Sequence, residues 1–232
     1  MKTVKVALLG FGTIGSSVGR IIAEDGANRK SSLDRDPNSV SSIADTIAKL
    51  EIVSIVSLDT EEVKSRLPKG LENVVVTDDA LSAITGEVAP KPDIVVELMG
   101  GVEPAHKFIL AALNNNCSVV TANKAVLGEY GKELRDTAKN NGVHLLYEAS
   151  VGGAVPIVRV IRHSLMGDKI ISIQGVLNGT TNFILDKMTH EGMDYDKALK
   201  KAQELGFAEA DPTADVEGGD AAAKISILAS LA

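Results

Sequence analysis

Apolar residues along this chain follow two rhythms. Residues 4–9, 52–58, 74–77, 94–98, 118–122 and 143–147 are short runs rich in Val, Ile and Leu, the pattern of strands buried on both faces. Residues 14–25 carry Ile14, Val18, Ile21 and Ile22 at helical spacing, and residues 104–114 and 131–140 keep the same period. Strand-like runs alternating with helical ones predict an α/β fold, a parallel sheet wound on both faces. Residues 26–38 are polar and contain serines, which predicts a surface excursion, and residues 42–50 have the pattern of a short helix before the second strand.

Past Tyr147 the rhythm changes. Gly152 and Gly153 lead into a helical run over 156–165 that opens on Pro156, a residue suited to a first helical turn. Residues 169–177 read as a further strand, and 181–190, 195–205 and 219–232 as helices, with Gly206 placed to stop the second of these. The pattern predicts two domains, 1–148 and 149–232, the second of mixed α+β type. No internal repeat or low-complexity tract interrupts either.

Three segments carry candidate chemistry. Gly10, Phe11, Gly12, Thr13, Ile14 and Gly15 lie where the first strand hands over to a helix. In that context Gly10 permits a tight turn, Gly12 lets backbone approach a pyrophosphate, and Gly15 allows close packing of helix on strand. A glycine turn that serves packing alone is the alternative. Asp59 closes the second strand and is a candidate for the ribose hydroxyls, although it lies farther along than the usual ~20 residues; capping a turn is an equal alternative. Lys64 and Arg66 follow it and could meet a 2′-phosphate or be solvated, so the residues leave NAD and NADP both open.

At the ends of the fourth and fifth strands stand Gly100 and Gly101, then Thr121, Asn123 and Lys124. Ligands of such sheets bind at the carboxyl ends of the strands, which makes these residues candidates for the nicotinamide end of the cofactor. A plain turn and a surface lysine are the alternatives. The third segment, residues 206–224, concentrates Glu209, Asp211, Asp215, Glu217 and Asp220 ahead of Lys224. Five carboxylates cannot all be buried together, so some must face cations or solvent. Asp220 and Lys224 are four residues apart on one helix face, and Ala221, Ala222 and Ala223 allow close approach and partial desolvation of the lysine. The segment suits a small polar substrate bearing an ammonium group; an exposed acidic loop is the alternative.

Bulk properties narrow the field. The net charge of -7, with four Phe, three Tyr and no Trp, argues against a nucleic-acid surface. No run is long enough for a signal-peptide core or a membrane span, and Cys117 is the single cysteine, so a cytoplasmic protein without an intrachain disulfide is expected. The four histidines have no metal-like spacing, and no GxSxG sequence is present.

The glycine turn, together with Thr121-Ala122-Asn123-Lys124, the segment 148–156, Asn178-Gly179-Thr180-Thr181-Asn182, and the residues from Glu209 to Lys224, resembles homoserine dehydrogenase along essentially the whole chain. The resemblance implies a Rossmann-type dinucleotide-binding domain over 1–148 and a substrate domain over 149–232. It implies NAD(P)-dependent interconversion of L-homoserine and L-aspartate 4-semialdehyde. Carried over by position, Lys224 is the acid/base lysine, Lys124 a second active-site lysine and Asp220 the acid beside Lys224. Glu209 and Asp215 hold the substrate, with Gly179, Thr180 and Phe207 in its binding turn; Phe207 stands where many members have Tyr. The backbone carbonyls of Glu148, Val151, Gly153 and Val155 match a monovalent-cation site for Na+ or K+. Members continue well beyond the helix of Lys224, completing the substrate domain and a homodimer interface, so an incomplete substrate domain is expected. Another two-domain Rossmann dehydrogenase acting on an amino or keto acid, or a non-catalytic dinucleotide-binding module, remain the competing readings.

Overall fold

The computed structural model describes residues 2–33 and 49–232, residues 25–33 by their backbone. The chain forms two compact units, Met1–Val126 with Tyr130–Tyr147, and Leu127–Glu129 with Glu148–Ala232.

The first unit is built on six parallel strands: β1 (Thr3–Leu9), β2 (Lys49–Val56), β3 (Val75–Thr77), β4 (Ile94–Glu97), β5 (Ser118–Thr121) and β6 (Leu145–Leu146). Their order across the sheet is β3-β2-β1-β4-β5-β6, the order of the doubly wound dinucleotide-binding fold. Every pairing is parallel, with Leu9 opposite both Val56 and Glu97 at the carboxyl end. Val6, Ala7, Leu8 and Leu9 are all buried, because helices cover both faces and no residue of the run can point to water. One face packs Val6, Leu8, Ile52, Ile55 and Val96 with Phe11, Val63 and Leu71, and Val18 and Ile22 of the first helix close over them.

Helices α1 (Thr13–Leu33), α2 (Thr60–Ser65), α3 (Ala80–Thr85), α4 (Ala105–Asn114) and α5 (Lys124–Asn140) connect the strands. Three of them, α2, α3 and α5, start on a side-chain cap. Asp59 accepts from the Glu62 backbone N–H at 2.9 Å, Asp79 from that of Ser82 at 3.0 Å, and Asn123 from that of Val126 at 3.2 Å.

In the second unit a 3-10 turn at Glu148–Ser150 precedes α6 (Ile157–Arg159), which widens into a π turn over Val160–Ser164. Then come α7 (Gly179–Glu191), α8 (Tyr195–Glu204), α9 (Thr213–Val216) and α10 (Gly219–Ala229). Ile184 of α7 and Ala198 and Ala202 of α8 pack with Ala208, and small residues let the two helices approach closely. Gly206 adopts φ +77°, the left-handed conformation that ends a helix without a Cβ clash.

Four expectations change. The helix expected over 14–25 runs on to Leu33, so part of the excursion at 26–38 is helical and the rest lies outside the described residues. The helix expected over 42–50 falls mostly outside them too, and its end, Lys49 and Leu50, belongs to β2 because β1 offers a ladder to pair with. The helix expected from 131 begins at Lys124, where the Asn123 cap overrides a weak apolar period. Residues 169–177 form no strand: their composition favours one, but no described residue pairs with them, and Ile171 stays 92% exposed. Among the described residues no helix is long and apolar enough to cross a membrane.

Candidate active site

The strand order reverses between β1 and β4, and the loops leaving their carboxyl ends meet there. Gly10 has φ +92°, donates to the Val56 carbonyl at 2.9 Å, and would place a Cβ 2.8 Å from the Leu98 carbonyl oxygen. A Cβ on Gly15 would fall 2.2 Å from the Gly10 carbonyl oxygen, so α1 can sit this close to the strand only without one. At Gly12 the reason differs: nothing lies within 4 Å of its missing Cβ. No described residue fills that space. No acidic residue stands in the first turn of α1 to oppose an anion, and its first N–H groups have no partner within the helix. This donor set and this space fit a pyrophosphate.

Phe11 points inward, 2% exposed, and packs where a Cβ on Gly19 would meet its ring at 2.9 Å. Its carbonyl accepts from Arg66 Nη2 at 2.6 Å, and the guanidinium stands 5.8 Å from the ring centre. Arg66 thus braces the glycine turn while its Nε lies 3.6 Å from Glu62. Lys64 pairs with Glu61 at 2.7 Å, and Asp59 commits one oxygen to the cap of α2. Thr13 and Ile14 open α1 with their side chains exposed.

A residue absent from the sequence-based candidates organises the other side of the switch point. Glu97, the last residue of β4, is fully buried. Its Oε1 accepts from the Met99 backbone N–H at 2.8 Å and from Asn123 Nδ2 at 3.4 Å, and its Oε2 accepts from the Thr121 hydroxyl at 2.5 Å. Asn123 Nδ2 also donates to the Gly101 carbonyl at 2.6 Å, while the Asn123 N–H donates to Thr121 Oγ1 at 2.9 Å. One carboxylate therefore ties the Gly100 and Gly101 loop to the start of α5. The signal was a lone acid closing an otherwise apolar strand, which requires donors when buried. Lys124 follows the Asn123 cap, exposed in the first turn of α5, where the helix dipole disfavours a cation.

In the second unit Asp220 and Lys224 come together as their spacing predicted. Lys224 Nζ lies 2.6 Å from Asp220 Oδ2 and donates also to the Leu177 carbonyl at 2.8 Å. The pair is enclosed, with side chains 3% and 18% exposed for Asp220 and Lys224. Asp215 joins through Asn178, whose Nδ2 donates to Asp215 Oδ1 at 2.7 Å and to Asp220 Oδ2 at 2.9 Å. Asn178 belonged to a recognised motif but was given no role. Gly179 begins α7, and the Thr180 hydroxyl donates to the Phe207 carbonyl at 2.5 Å. The Phe207 ring stacks on Phe183 with centroids 4.7 Å apart. Glu209 is exposed on the turn after α8, where its backbone carbonyl accepts from Gln203 Nε2 at 3.1 Å, so its carboxylate stands apart from the network. Asp211 accepts from Thr213, and that bond holds its carboxyl below the usual range.

Around residues 148–157 the backbone is unusual. Gly152 has φ +60° and Ala154 φ +66°, and the Val155 N–H donates to the Gly152 carbonyl at 2.7 Å. The Glu148 side chain is committed to α6, accepting from the N–H groups of Val158 and Arg159 at 3.1 and 2.9 Å. The Val155 carbonyl accepts from Ile157 N–H at 2.8 Å. Among the described residues no group of three or more His, Cys, Asp or Glu side chains could hold a metal ion.

Known proteins resemble the chain throughout. Residues 10–148 match the family described as homoserine dehydrogenase, NAD binding domain, and residues 156–232 match the family described as homoserine dehydrogenase. A homoserine dehydrogenase of Synechocystis sp. is 46% identical over 229 residues, which cover 99% of this chain and 48% of that protein. The crystal structure of a homoserine dehydrogenase from Thiobacillus denitrificans superposes with a TM-score of 0.80 at 36% identity, covering 99% of this chain and 49% of the other. A hyperthermophilic archaeal homoserine dehydrogenase in complex with NADPH gives 0.78 at 32% identity, covering 99% of this chain and 69% of the other. The chain spans about half the length of the curated relatives it matches. Glycine turn, six-stranded sheet and lysine-bearing helix follow one another here as parts of one shared sequence, and the chain belongs to the homoserine dehydrogenase family.

Proposed function

We propose that the protein interconverts L-homoserine and L-aspartate 4-semialdehyde with NAD or NADP, a step in threonine, methionine and isoleucine biosynthesis. The observation that carries this reading is the enclosed Asp220 and Lys224 pair, linked to Asp215 through Asn178. When bound, the nicotinamide supplies or accepts the hydride. Lys224 handles the proton: it protonates the oxygen of the former aldehyde in one direction and takes the hydroxyl proton in the other. An ammonium has three donors, and two are engaged by Asp220 and the Leu177 carbonyl, which leaves one for the substrate oxygen.

Asp215 and Glu209 neutralise the substrate ammonium, and Gly179, Thr180 and Phe207 line its turn. Lys124 is a second lysine of the active site. Gly10, Phe11, Gly12, Thr13, Ile14, Gly15, Asp59, Gly100, Gly101, Thr121 and Asn123 form the dinucleotide site with it. The carbonyls of Glu148, Val151, Gly153 and Val155 are a candidate seat for a monovalent cation, Na+ or K+. The protein works in the cytoplasm on a small molecule, as a homodimer, without nucleic acid or membrane.

Initial rates of the 232-residue protein with each cofactor test the reading. Homoserine should be oxidised far better than 4-hydroxybutyrate, which lacks the ammonium, and Glu209→Gln should raise KM for homoserine and erode that preference. Equal rates on the two alcohols, or dinucleotide binding without turnover, would defeat it.

A further inference from the structure

Asn178 sits 7% exposed at the mouth of α7, and the donors and acceptor of its side-chain amide are all engaged. Its Oδ1 accepts from the Thr181 backbone N–H at 2.8 Å and lies 2.9 Å from the Thr181 hydroxyl. A backbone N–H can only donate, so this contact fixes which end of the amide is oxygen. The NH₂ end must then face Asp215 and Asp220, which it meets with one proton each. The amide meets Asp215 from α9 and Asp220 from α10, Lys224 of α10 pairs with Asp220, and α7 offers the amide the Thr181 backbone N–H.

Two carboxylates within reach of one nitrogen repel each other. Lys224 contacts only one of them, Asp220. The second needs another donor, and Asn178 supplies it without adding charge. An aspartate in place of the amide would add a negative charge and remove both donors.

We infer that Asn178 is a positioning residue of the acid–base site, bridging Asp215 to Asp220 and so fixing Lys224 between Asp220 and the Leu177 carbonyl. It joins the group that holds the substrate ammonium to the pair that moves the proton. The inference rests on the proposed role of Lys224, but its effect on the three titrating groups can be read without turnover.

Asn178→Ser and Asn178→Asp separate bridging from capping, because Ser and Asp cap a helix about as well as Asn and neither can donate to both carboxylates. The probe is carbon NMR of the isotope-labelled 232-residue protein, following the Asp215 and Asp220 carboxyls and the carbon beside Lys224 Nζ against pH. In Asn178→Asp, at least one carboxyl midpoint and the Lys224 midpoint should rise by about one pH unit or more, since like charges now crowd the site. Asn178→Ser should raise the carboxyl midpoints by less. Where the parent oxidises homoserine, the pH dependence of kcat should move with the Lys224 midpoint while dinucleotide affinity stays put. Midpoints within about 0.2 unit of the parent in both variants would reduce Asn178 to a cap. A parent that fails to turn over homoserine sinks the proposed function, and the titrations still decide the role of Asn178.

Discussion

At the glycine turn the protein makes room by leaving side chains out, whereas around Asn178 it packs charged side chains together. Gly10 and Gly15 are demanded by protein atoms 2.8 and 2.2 Å from their absent Cβ atoms, and Gly12 by none among the described residues. The cluster of Asp215, Asp220 and Lys224 is the reverse, since each member gains its meaning from a partner. One site is selected by shape and backbone donors, the other by charge balance. Substitution should therefore harm them in different ways.

The largest effect falls on the charged cluster. Lys224→Ala removes the proposed proton carrier and should lower kcat by about 10²- to 10⁴-fold with dinucleotide affinity nearly unchanged. Turnover within a few-fold of the parent would make this lysine structural and dissolve the contrast.

The next test sets two glycines against each other. Gly15→Ala forces a Cβ onto the Gly10 carbonyl and should destabilise the first unit by about 1–3 kcal/mol in denaturant titration. At Gly12→Val the new Cβ meets no described atom within 4 Å, so the variant should change that titration far less than Gly15→Ala and weaken NAD(P) binding by an order of magnitude or more, as expected where backbone approaches pyrophosphate. If both variants lost stability alike, the space at Gly12 would not be reserved for a ligand.

The smallest effect concerns the first unit away from either site. Cys117 is buried, with its thiol directed at the Pro92 carbonyl at 3.2 Å, and burial pushes its pKa up. A pKa raised on folding favours the neutral thiol, so its contribution is fully present below the unfolded value, about 8.5, and is lost as pH rises toward the folded one. Cys117→Ala should flatten the alkaline decline in stability, and a thiol reagent should label the native parent much more slowly than the unfolded chain. Rapid native labelling at neutral pH would place the thiol outside the core.

How much of this was legible from sequence follows the same division. All six strands stood out because burial on both faces demands unbroken apolar runs, and the glycine turn stood out because backbone geometry leaves a residue-type signature. The short helices at Thr60–Ser65, Ala80–Thr85 and Thr213–Val216 did not, being too brief to show a period. Residues 169–177 were misread because strand propensity says nothing of whether a neighbour is present to pair. The pairing of Asp220 with Lys224 was readable as an i,i+4 spacing, but Asn178 reaches partners 37 and 42 residues away, a distance no local pattern spans. Glu97 was visible only as an oddity in a strand, because its partners come from loops that the sheet brings together.

The anchoring of two loops on Glu97 has a consequence in energy as well as in space. The turn after β4 and the entry to α5 share one carboxylate and one amide, so neither can peel away without unbonding the other. Opening either one breaks hydrogen bonds to the other, so displacement of one loop carries a cost that is shared by both.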